Sequence, residues 1–175
     1  MGAFFVFFST APRVLIDRAG FSRLGFSLAF ATAALVMIVA ARFAGRLVAR
    51  WGIAGSVARG MAMLLLGAAL LVFGEAFAAP SFVTFVVPMW IVAVGIVLAS
   101  SVTANGALAA FGDTAGTAVA LYFCVQSLIV SSIGTLFVVM LDAETAWPLA
   151  GYCSLLAVVT LCALRLQAKR RSTTA

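Results

Sequence analysis

The sequence predicts an all-α protein that crosses a membrane several times. Hydrophobic residues make up 65% of the 175 residues and charged residues only 9%, whereas a soluble domain is about one quarter charged. With a mean hydropathy of +1.23, the chain has too few polar side chains to cover a surface that faces water. Its charged residues also delimit long apolar runs, and a membrane-spanning helix needs about 20 such residues. These observations exclude a water-soluble globular domain and a disordered chain.

The uncharged runs predict one partial and five full membrane spans. The partial span covers 1–14, and the five full spans cover 24–41, 55–74, 86–108, 114–139 and 145–164. An Arg-rich cytoplasmic loop, 42–59, separates the first two full spans, and a basic tail, 165–175, ends the chain. Because the apolar start is about half as long as a span, we expect it to be the outer part of a helix whose beginning is missing. The chain is then expected to be a C-terminal piece of something longer.

The basic residues predict which side of the membrane each loop faces. The net charge is +6, from eleven basic and five acidic residues. Eight of the basic residues fall in the Arg-rich loop and the tail, which the predicted topology places on one side, and three fall on the other. Because cytoplasmic loops carry an excess of Lys and Arg, we expect the loop and the C-terminus to be cytoplasmic. The positive charge then reflects membrane topology and not nucleic-acid binding.

Residues that usually carry enzyme or metal chemistry are scarce. The chain has no His, a residue that is the commonest metal ligand and a frequent general base. Its three cysteines, Cys124, Cys153 and Cys162, lie inside apolar runs without CxxC spacing, so we interpret them as small buried residues. No pair of acids falls in the middle of a predicted span, and the predicted loops are too short for a catalytic domain. We therefore expect no enzyme activity, no metal and no cofactor.

Polar side chains distinguish the span 114–139 from the others. Tyr122 and Gln126 are four residues apart and therefore share one face of the predicted helix. A glutamine near the middle of a membrane is costly unless it is hydrogen-bonded or wet, so this pair either contacts a ligand or bonds a neighbouring helix. The stretches 60–74 and 145–164 carry few polar residues, and we expect these two spans to be peripheral and to face lipid.

The clearest motif lies in the Arg-rich loop, where residues 45–52 read GRLVARWG. It resembles the loop signature of the major facilitator superfamily, G-x-L-x-D-R-x-G, with matches at Gly45, Leu47, Arg50 and Gly52. The aspartate of that signature is Ala49 here. Loss of the aspartate fits the decayed copy of the signature that the family carries in its C-terminal half.

Other stretches resemble the Bcr/CflA drug-efflux transporters of that superfamily. The family's Ser-x-x-Pro helix end, short outer loop and following helix start are similar to FFSTAPRVLIDRAGFSRLGFSLAF, from Phe7 to Phe30. Its Asn-Ala…Ala-Gly-Thr-Ala-x-Ala…Gln pattern is similar to NGAL from Asn105, AGTAVA from Ala115, and Gln126. Within that group, the chain is most similar to the chloramphenicol and florfenicol exporters, in the stretches PMWIVAVGI, SVTANGALA and TAWP. The resemblance extends over the whole chain, but only over the C-terminal half of the family.

The resemblance implies the C-terminal six-helix half of a twelve-helix transporter, with its first helix truncated, in the bacterial inner membrane. It implies efflux of chloramphenicol and florfenicol by proton-coupled antiport, with the drug, the lipid bilayer and the missing N-terminal half as partners. The family's proton-coupling acids lie in that other half, so we expect this chain to be inactive alone. Phenicols are neutral and suit a mostly apolar pocket with a few hydrogen-bonding groups. We expect six residues to contact the substrate: Tyr122, Gln126, Asn105, Phe5, Phe8 and Phe30.

We expect the Arg-rich loop to act as a gate and not as a substrate site, through Gly45, Arg46, Arg50 and Gly52. Guanidinium groups can pair with helix C-termini in one conformation and release them in another. The alternative is that these arginines are only solvated charges on the cytoplasmic face.

A different function stays open at this point. The chain could be a self-standing small membrane protein that acts as a homodimeric transporter or channel. Its half-length first span argues against this alternative, because a native chain is expected to begin with a whole helix.

Overall fold

Helices make up almost all of the described chain. The computed structural model describes residues 2–79, 81–108, 115–141 and 144–173, and within them the side chains of all but 103–108, 115 and 167–173. The helices are α1 (Gly2–Pro12), α2 (Arg23–Phe77), α3 (Val87–Leu108), α4 (Ala115–Met140) and α5 (Trp147–Thr173). A first π-helical segment, Arg13–Arg18, continues α1, and a second, Phe82–Val86, leads into α3. This confirms the predicted all-α class, and four of the described helices are long and apolar enough to cross a membrane.

Short polar residues fix where two of these elements begin. The Ser22 side chain caps α2 by accepting a hydrogen bond from the Gly25 N–H at 3.0 Å, as a serine at a helix N-cap commonly does. Ser81 and Thr84 form a reciprocal capping box at the second π segment, in which each side chain accepts from the other residue's backbone N–H. The N–H groups that a helix start leaves without a backbone partner are thereby satisfied.

Gly52 divides α2 into a first arm, 23–51, and a second arm, 53–77. Its φ is +70° and its ψ is 174°, a conformation open almost only to glycine. The Ser56 hydroxyl donates to the Gly52 carbonyl oxygen at 2.7 Å and so caps the bend from the second arm. The segment predicted as a loop, 42–59, is therefore helical on both sides of a single bent residue.

The first arm runs parallel to α3. Near the start of both, the Trp90 indole N–H donates to the Thr32 hydroxyl at 3.1 Å. Further along both, Ala44 of the arm belongs to one buried cluster with Val97 and Leu98 of α3. Contacts that advance together along two helices mean that the helices point the same way.

The second arm runs antiparallel to α3 and lies very close to it. Three of its four glycines recur every seven residues, at Gly60, Gly67 and Gly74, and all three are buried. A Cβ atom at Gly60 would lie 2.7 Å from the Gly95 carbonyl oxygen, and one at Gly74 would lie 3.0 Å from the Thr84 carbonyl oxygen. Small residues of this kind let helices in a membrane approach closely. The two arms and α3 therefore form a three-helix layer folded at Gly52.

The remaining helices pack against this layer to different degrees. At the start of α1, Gly2 lies against the Tyr152 ring of α5, where no larger residue would fit. Tyr152 in turn meets Phe137 of α4 edge to face, with ring centroids 5.7 Å apart. In the apolar 18-residue window within Phe82–Val102, 56% of the residues are buried, against 6% in the corresponding window within Gly116–Met140 of α4. Helix α3 is thus the centre of the described bundle and α4 is its most exposed member.

The structure shows a buried face on each of the spans 60–74 and 145–164, which were expected to be peripheral. The second arm buries Leu64 and Leu71, and α5 buries Leu149 and Cys153, while other apolar side chains of the same spans stay exposed, among them Leu66, Phe73 and Val158. Polarity could not reveal this, because within a bilayer a face that packs on protein and a face that meets lipid are equally apolar.

The described helices extend past the ends of several predicted spans. Helix α5 continues to Thr173, through most of the predicted tail 165–175, and the first π segment carries the partial span 1–14 on to Arg18. Where the membrane borders fall on these helices remains a prediction.

One ion pair ties together three elements at the end of the bundle opposite Gly52. Arg18 donates from Nη1 to Glu75 Oε1 at 2.6 Å and to the Glu144 carbonyl oxygen at 2.9 Å. The second Glu75 oxygen accepts from the Ala146 N–H at 3.2 Å, next to the start of α5. This end network, formed by Arg18, Glu75, Glu144 and Ala146, joins the first π segment, the second arm and α5.

Candidate functional site

An aromatic pocket of about 260 Å³ opens between α1 and the first arm. It is lined by apolar side chains only: Phe4, Phe7, Phe8, Phe30, Ala33, Ala34 and Met37. The Phe30 ring lies 4.9 Å from both the Phe7 and the Phe8 rings, measured between centroids. These separations are typical of favourable ring pairs, so the rings form one continuous apolar wall.

A second cavity, the core cavity, has a volume of about 200 Å³ and touches all five helices. Its wall is mostly apolar with a few polar groups, and consists of Ala3, Val57, Met61, Leu64, Ile96, Ala99, Ser100, Gln126, Leu156 and Thr160. Gln126 can both donate and accept hydrogen bonds, and the Thr160 hydroxyl can do the same. The core cavity therefore offers directional polar contacts that the aromatic pocket does not.

Three of the six predicted substrate residues line these two cavities. Phe8 and Phe30 lie in the aromatic pocket and Gln126 lies in the core cavity. The exposed fraction of Phe8 is 55%, which makes it the most accessible ring of the pocket wall described here. Whether these side chains contact a substrate stays a prediction.

The other three lie elsewhere or outside the described side chains. Phe5 packs against Gly134 of α4, where a Cβ atom would come within 2.6 Å of the ring, so it joins two helices. Tyr122 is half-buried and meets Phe123 edge to face at 5.4 Å; it lines neither of the two cavities. The side chain of Asn105 lies outside those that the structure describes.

The predicted gating residues sit at the Gly52 bend. Gly45, Arg46 and Arg50 are exposed on the first arm, and Gly52 supplies the bend itself. Beyond it, the Arg59 guanidinium lies 4.6 Å from the centre of the Trp51 ring, a distance that allows a cation–π interaction. The arrangement brings a cation and a ring together across the bend, and the gating role stays a prediction.

Sequence reasoning missed the partners that complete the aromatic pocket. Phe4 and Phe7 were present in the apolar start of the chain. Phe4 is three residues from Phe7 and four from Phe8, and both spacings make side chains neighbours on a helix surface. The Thr32–Trp90 hydrogen bond had no such local signal, because 58 residues separate the two partners. Only a tertiary structure brings them together.

Size and chemistry limit what the described cavities can hold. Pockets for drug-sized ligands usually have about 300–1,000 Å³, and the aromatic pocket and the core cavity each fall below that range at about 260 and 200 Å³. Either can accept part of a ligand, such as a ring in the aromatic pocket. A complete drug site would need walls in addition to those of one cavity.

Comparison with known proteins finds antibiotic-resistance homologues. The chain is 46% identical over 173 residues to a chloramphenicol resistance protein of Pseudomonas aeruginosa, a match that covers 97% of this chain. It is also 37% identical over 78 residues to a chloramphenicol resistance protein of Escherichia coli, a match that covers 45% of this chain and 26% of that protein. Homologues named chloramphenicol resistance protein therefore match this chain, one of them over almost its whole length.

The chain spans about two fifths of the length of the P. aeruginosa relative, 41%. No protein-family profile matches the chain. No solved structure matches it either.

Proposed function

We propose that this chain forms part of an exporter that removes phenicol antibiotics, chloramphenicol and florfenicol, from bacteria. The exporter would be of the Bcr/CflA type within the major facilitator superfamily, and this chain would supply its C-terminal six-helix half. The observation that carries the proposal is the 46% identity to a chloramphenicol resistance protein over 97% of this chain. The apolar helices support export across a membrane over chemical modification of the drug.

The two cavities suit a neutral drug with an aromatic ring and several polar groups. The aromatic pocket takes the ring against Phe8 and Phe30, while amide or hydroxyl groups would need partners such as Gln126. Because neither cavity alone has the volume of a drug site, we propose that the rest of the exporter completes the site. Efflux then depends on two parts that enclose the drug between them.

Energy coupling is proposed to come from outside this chain. A proton antiporter needs a titratable group within the membrane. Asp17 lies in the first π segment, Glu75 lies near the end of α2, and Glu144 lies in a turn; Asp113 and Asp142 lie outside the described residues. We therefore assign the proton-carrying acid to the partner half, which makes this chain inactive alone.

A chimera tests the proposal directly. In it, this chain replaces the matched segment of the P. aeruginosa chloramphenicol resistance protein, and the chimera is expressed in a phenicol-sensitive strain of E. coli. We expect raised minimal inhibitory concentrations for both phenicols and lowered drug accumulation that a protonophore restores. The drug recovered from the medium should be chemically unchanged.

The chain expressed alone is the matched control, and we expect it to give no resistance. Energy-dependent efflux by the chain alone would instead favour the homodimeric alternative. Modified drug in the medium would overturn export as the mechanism, and a well-expressed but inactive chimera would overturn the assignment to this exporter.

Gln126 provides a residue-level test in the same chimera. Gln126→Leu keeps a side chain of similar volume but removes the amide from the core cavity, so we expect phenicol resistance to fall several-fold at equal expression. Ser131→Ala is the control on the same helix, because that hydroxyl donates to the Ser127 carbonyl oxygen within α4. Unchanged resistance in Gln126→Leu would assign Gln126 to packing alone.

A further inference from the structure

We infer that Trp90 is a positioning residue for the aromatic pocket: its hydrogen bond to Thr32 holds the hinged first arm of α2 in place and thereby sets the width of the pocket. The use of the pocket by a drug rests on the proposed function, whereas the positioning of the arm does not. Three observations carry the inference: the weak burial of the arm, the divided walls of the pocket, and the geometry of the bond.

The first arm is held far less firmly than the second. Among its residues only Ala29, Ala33 and Ala44 are buried, whereas nine residues of the second arm are. Three of the nine are glycines in close contact with α3 or with the π segment that leads into it. A single residue, Gly52, connects the two arms, and its backbone has left the helical conformation. Hinges are a few residues of this kind that absorb changes in φ and ψ, so Gly52 allows the first arm to swing while the second stays packed.

The walls of the aromatic pocket belong to two separate elements. Phe4, Phe7 and Phe8 lie on α1, which is anchored to α5 through Gly2 and Tyr152. The other wall, Phe30, Ala33, Ala34 and Met37, lies on the first arm. Any displacement of the arm relative to α1 therefore changes the width of the pocket directly.

The Trp90–Thr32 bond holds the arm at the level of the pocket. Thr32 lies between the wall residues Phe30 and Ala33. Its hydroxyl donates to the Ala29 carbonyl oxygen at 2.6 Å, which leaves oxygen lone pairs to accept the Trp90 indole N–H at 3.1 Å. Phe82 packs edge to face on the Trp90 ring at 5.7 Å and holds the indole in this direction.

The predicted membrane position of Trp90 favours this bond. Trp90 lies within the predicted span 86–108, where an indole N–H without an acceptor would cost free energy. Rotation of the arm away from α3 would separate the donor from its acceptor. The bond therefore selects the arm position in which Phe30 stacks on Phe7.

Cross-linking of the full 175-residue chain in membranes tests the arm position. Cys124, Cys153 and Cys162 are first replaced by alanine, and cysteines are placed on opposite walls of the pocket, at Phe8 and Ala34. The yield with a short bifunctional thiol reagent then reports the pocket width. We expect Thr32→Val to lower the initial cross-linking rate about three-fold, the size typical of losing one interhelical hydrogen bond in a bilayer.

Matched variants distinguish the effect of losing this hydrogen bond from the effect of a general loss of structure. Thr32→Ser keeps the hydroxyl and should restore the rate, and Trp90→Phe should lower it as Thr32→Val does. The double variant should be no worse than either single one, because both remove the same interaction. Thr10→Val is the control: its buried hydroxyl donates to the Val6 carbonyl oxygen within α1, so the rate should stay unchanged.

Equal rates in Thr32→Val and Thr32→Ser would overturn the inference, and so would additive effects in the double variant. In the chimera, the same Thr32→Val change should raise the KM for chloramphenicol about three-fold with little effect on kcat, with rescue by Thr32→Ser. An unchanged KM beside a lowered cross-linking rate would overturn the role of the bond in drug binding. An inactive chimera would overturn the proposed function, and the cross-linking result would still decide the position of the arm.

Discussion

The two arms of α2 are similar in sequence character but differ in how the protein holds them. Both are apolar helices, yet the first arm buries three residues and the second buries nine. The glycines account for the difference. Gly60 and Gly67 bring the second arm against α3, and Gly74 brings it against the π segment before α3, whereas a Cβ atom at Gly45 of the first arm would meet nothing within 4 Å. In a membrane, where lipid is as apolar as leucine, close packing by small residues and not hydrophobicity decides which helix is held.

The largest expected effect concerns membrane topology, that is, the side of the membrane on which each end of an arm lies. The arms run in opposite directions along α3 and form a hairpin, so we expect Ala49, near the end of the first arm, and Ala79, just after the second, to lie on opposite sides of the membrane. The second arm, 53–77, is long enough for this, because 25 helical residues extend about 37 Å and a bilayer core is about 30 Å thick. Both positions are exposed in the structure.

In intact cells, a chain with Ala79→Cys should react with a membrane-impermeant thiol reagent, and one with Ala49→Cys should react only after permeabilisation. The experiment uses a background without Cys124, Cys153 and Cys162. Equal reaction of both positions would contradict the hairpin arrangement. The reverse pattern would overturn the predicted cytoplasmic location of the Arg-rich loop.

The next largest effect concerns the glycines themselves. Gly60→Val would force side-chain atoms into the Gly95 backbone, since even a Cβ atom lies 2.7 Å from its carbonyl oxygen. Overpacking of this kind costs about 1–3 kcal/mol or more, so we expect a clear loss of stability against SDS in mixed micelles. Gly45→Val on the first arm should change stability by less than about 0.5 kcal/mol, as surface substitutions usually do. Similar losses in both variants would remove the distinction between the arms.

The hinge between the arms gives a smaller effect. At Gly52 the φ of +70° with ψ of 174° is strained for any residue with a side chain, so Gly52→Ala should cost about 1–3 kcal/mol in the same measurement. Gly45→Ala is the control within a regular helix, where alanine is the better helix former and stabilises by up to about 1 kcal/mol. If Gly52→Ala were as stable as the parent, the bend would not be a fixed feature of α2.

The two arms also show which features could be predicted from the sequence and which could not. Apolar run lengths predicted the helices, and side-chain chemistry selected Phe8, Phe30 and Gln126, which the structure places at cavities. The buried glycine face of the span 60–74 was not predicted, because its glycine spacing matters only when a partner helix is known. The Trp90–Thr32 hydrogen bond could not be predicted for the same reason, since no local sequence pattern pairs residues 58 positions apart.

The smallest expected effect tests what anchors the far end of the second arm. Glu75 is 11% exposed and accepts from both Arg18 and the Ala146 N–H, whereas the Arg18 side chain is 34% exposed. Partly exposed ion pairs contribute about 0–1 kcal/mol, so Arg18→Ala should cost about 0.5 kcal/mol. Glu75→Ala should cost about 1–2 kcal/mol, because it also removes the acceptor of a backbone N–H near α5.

A double-variant cycle between these two positions isolates their interaction. We expect a coupling of about 0.5 kcal/mol that falls as salt is raised, because salt screens charges near water. Arg13→Ala, an exposed cation in the same π segment, is the control and should leave stability unchanged. If both single variants were as stable as the parent and showed no coupling, the end network would contribute nothing measurable. The second arm would then be held by its glycine contacts alone. The difference in stability between the two arms would come from packing, with no contribution from the ion pair.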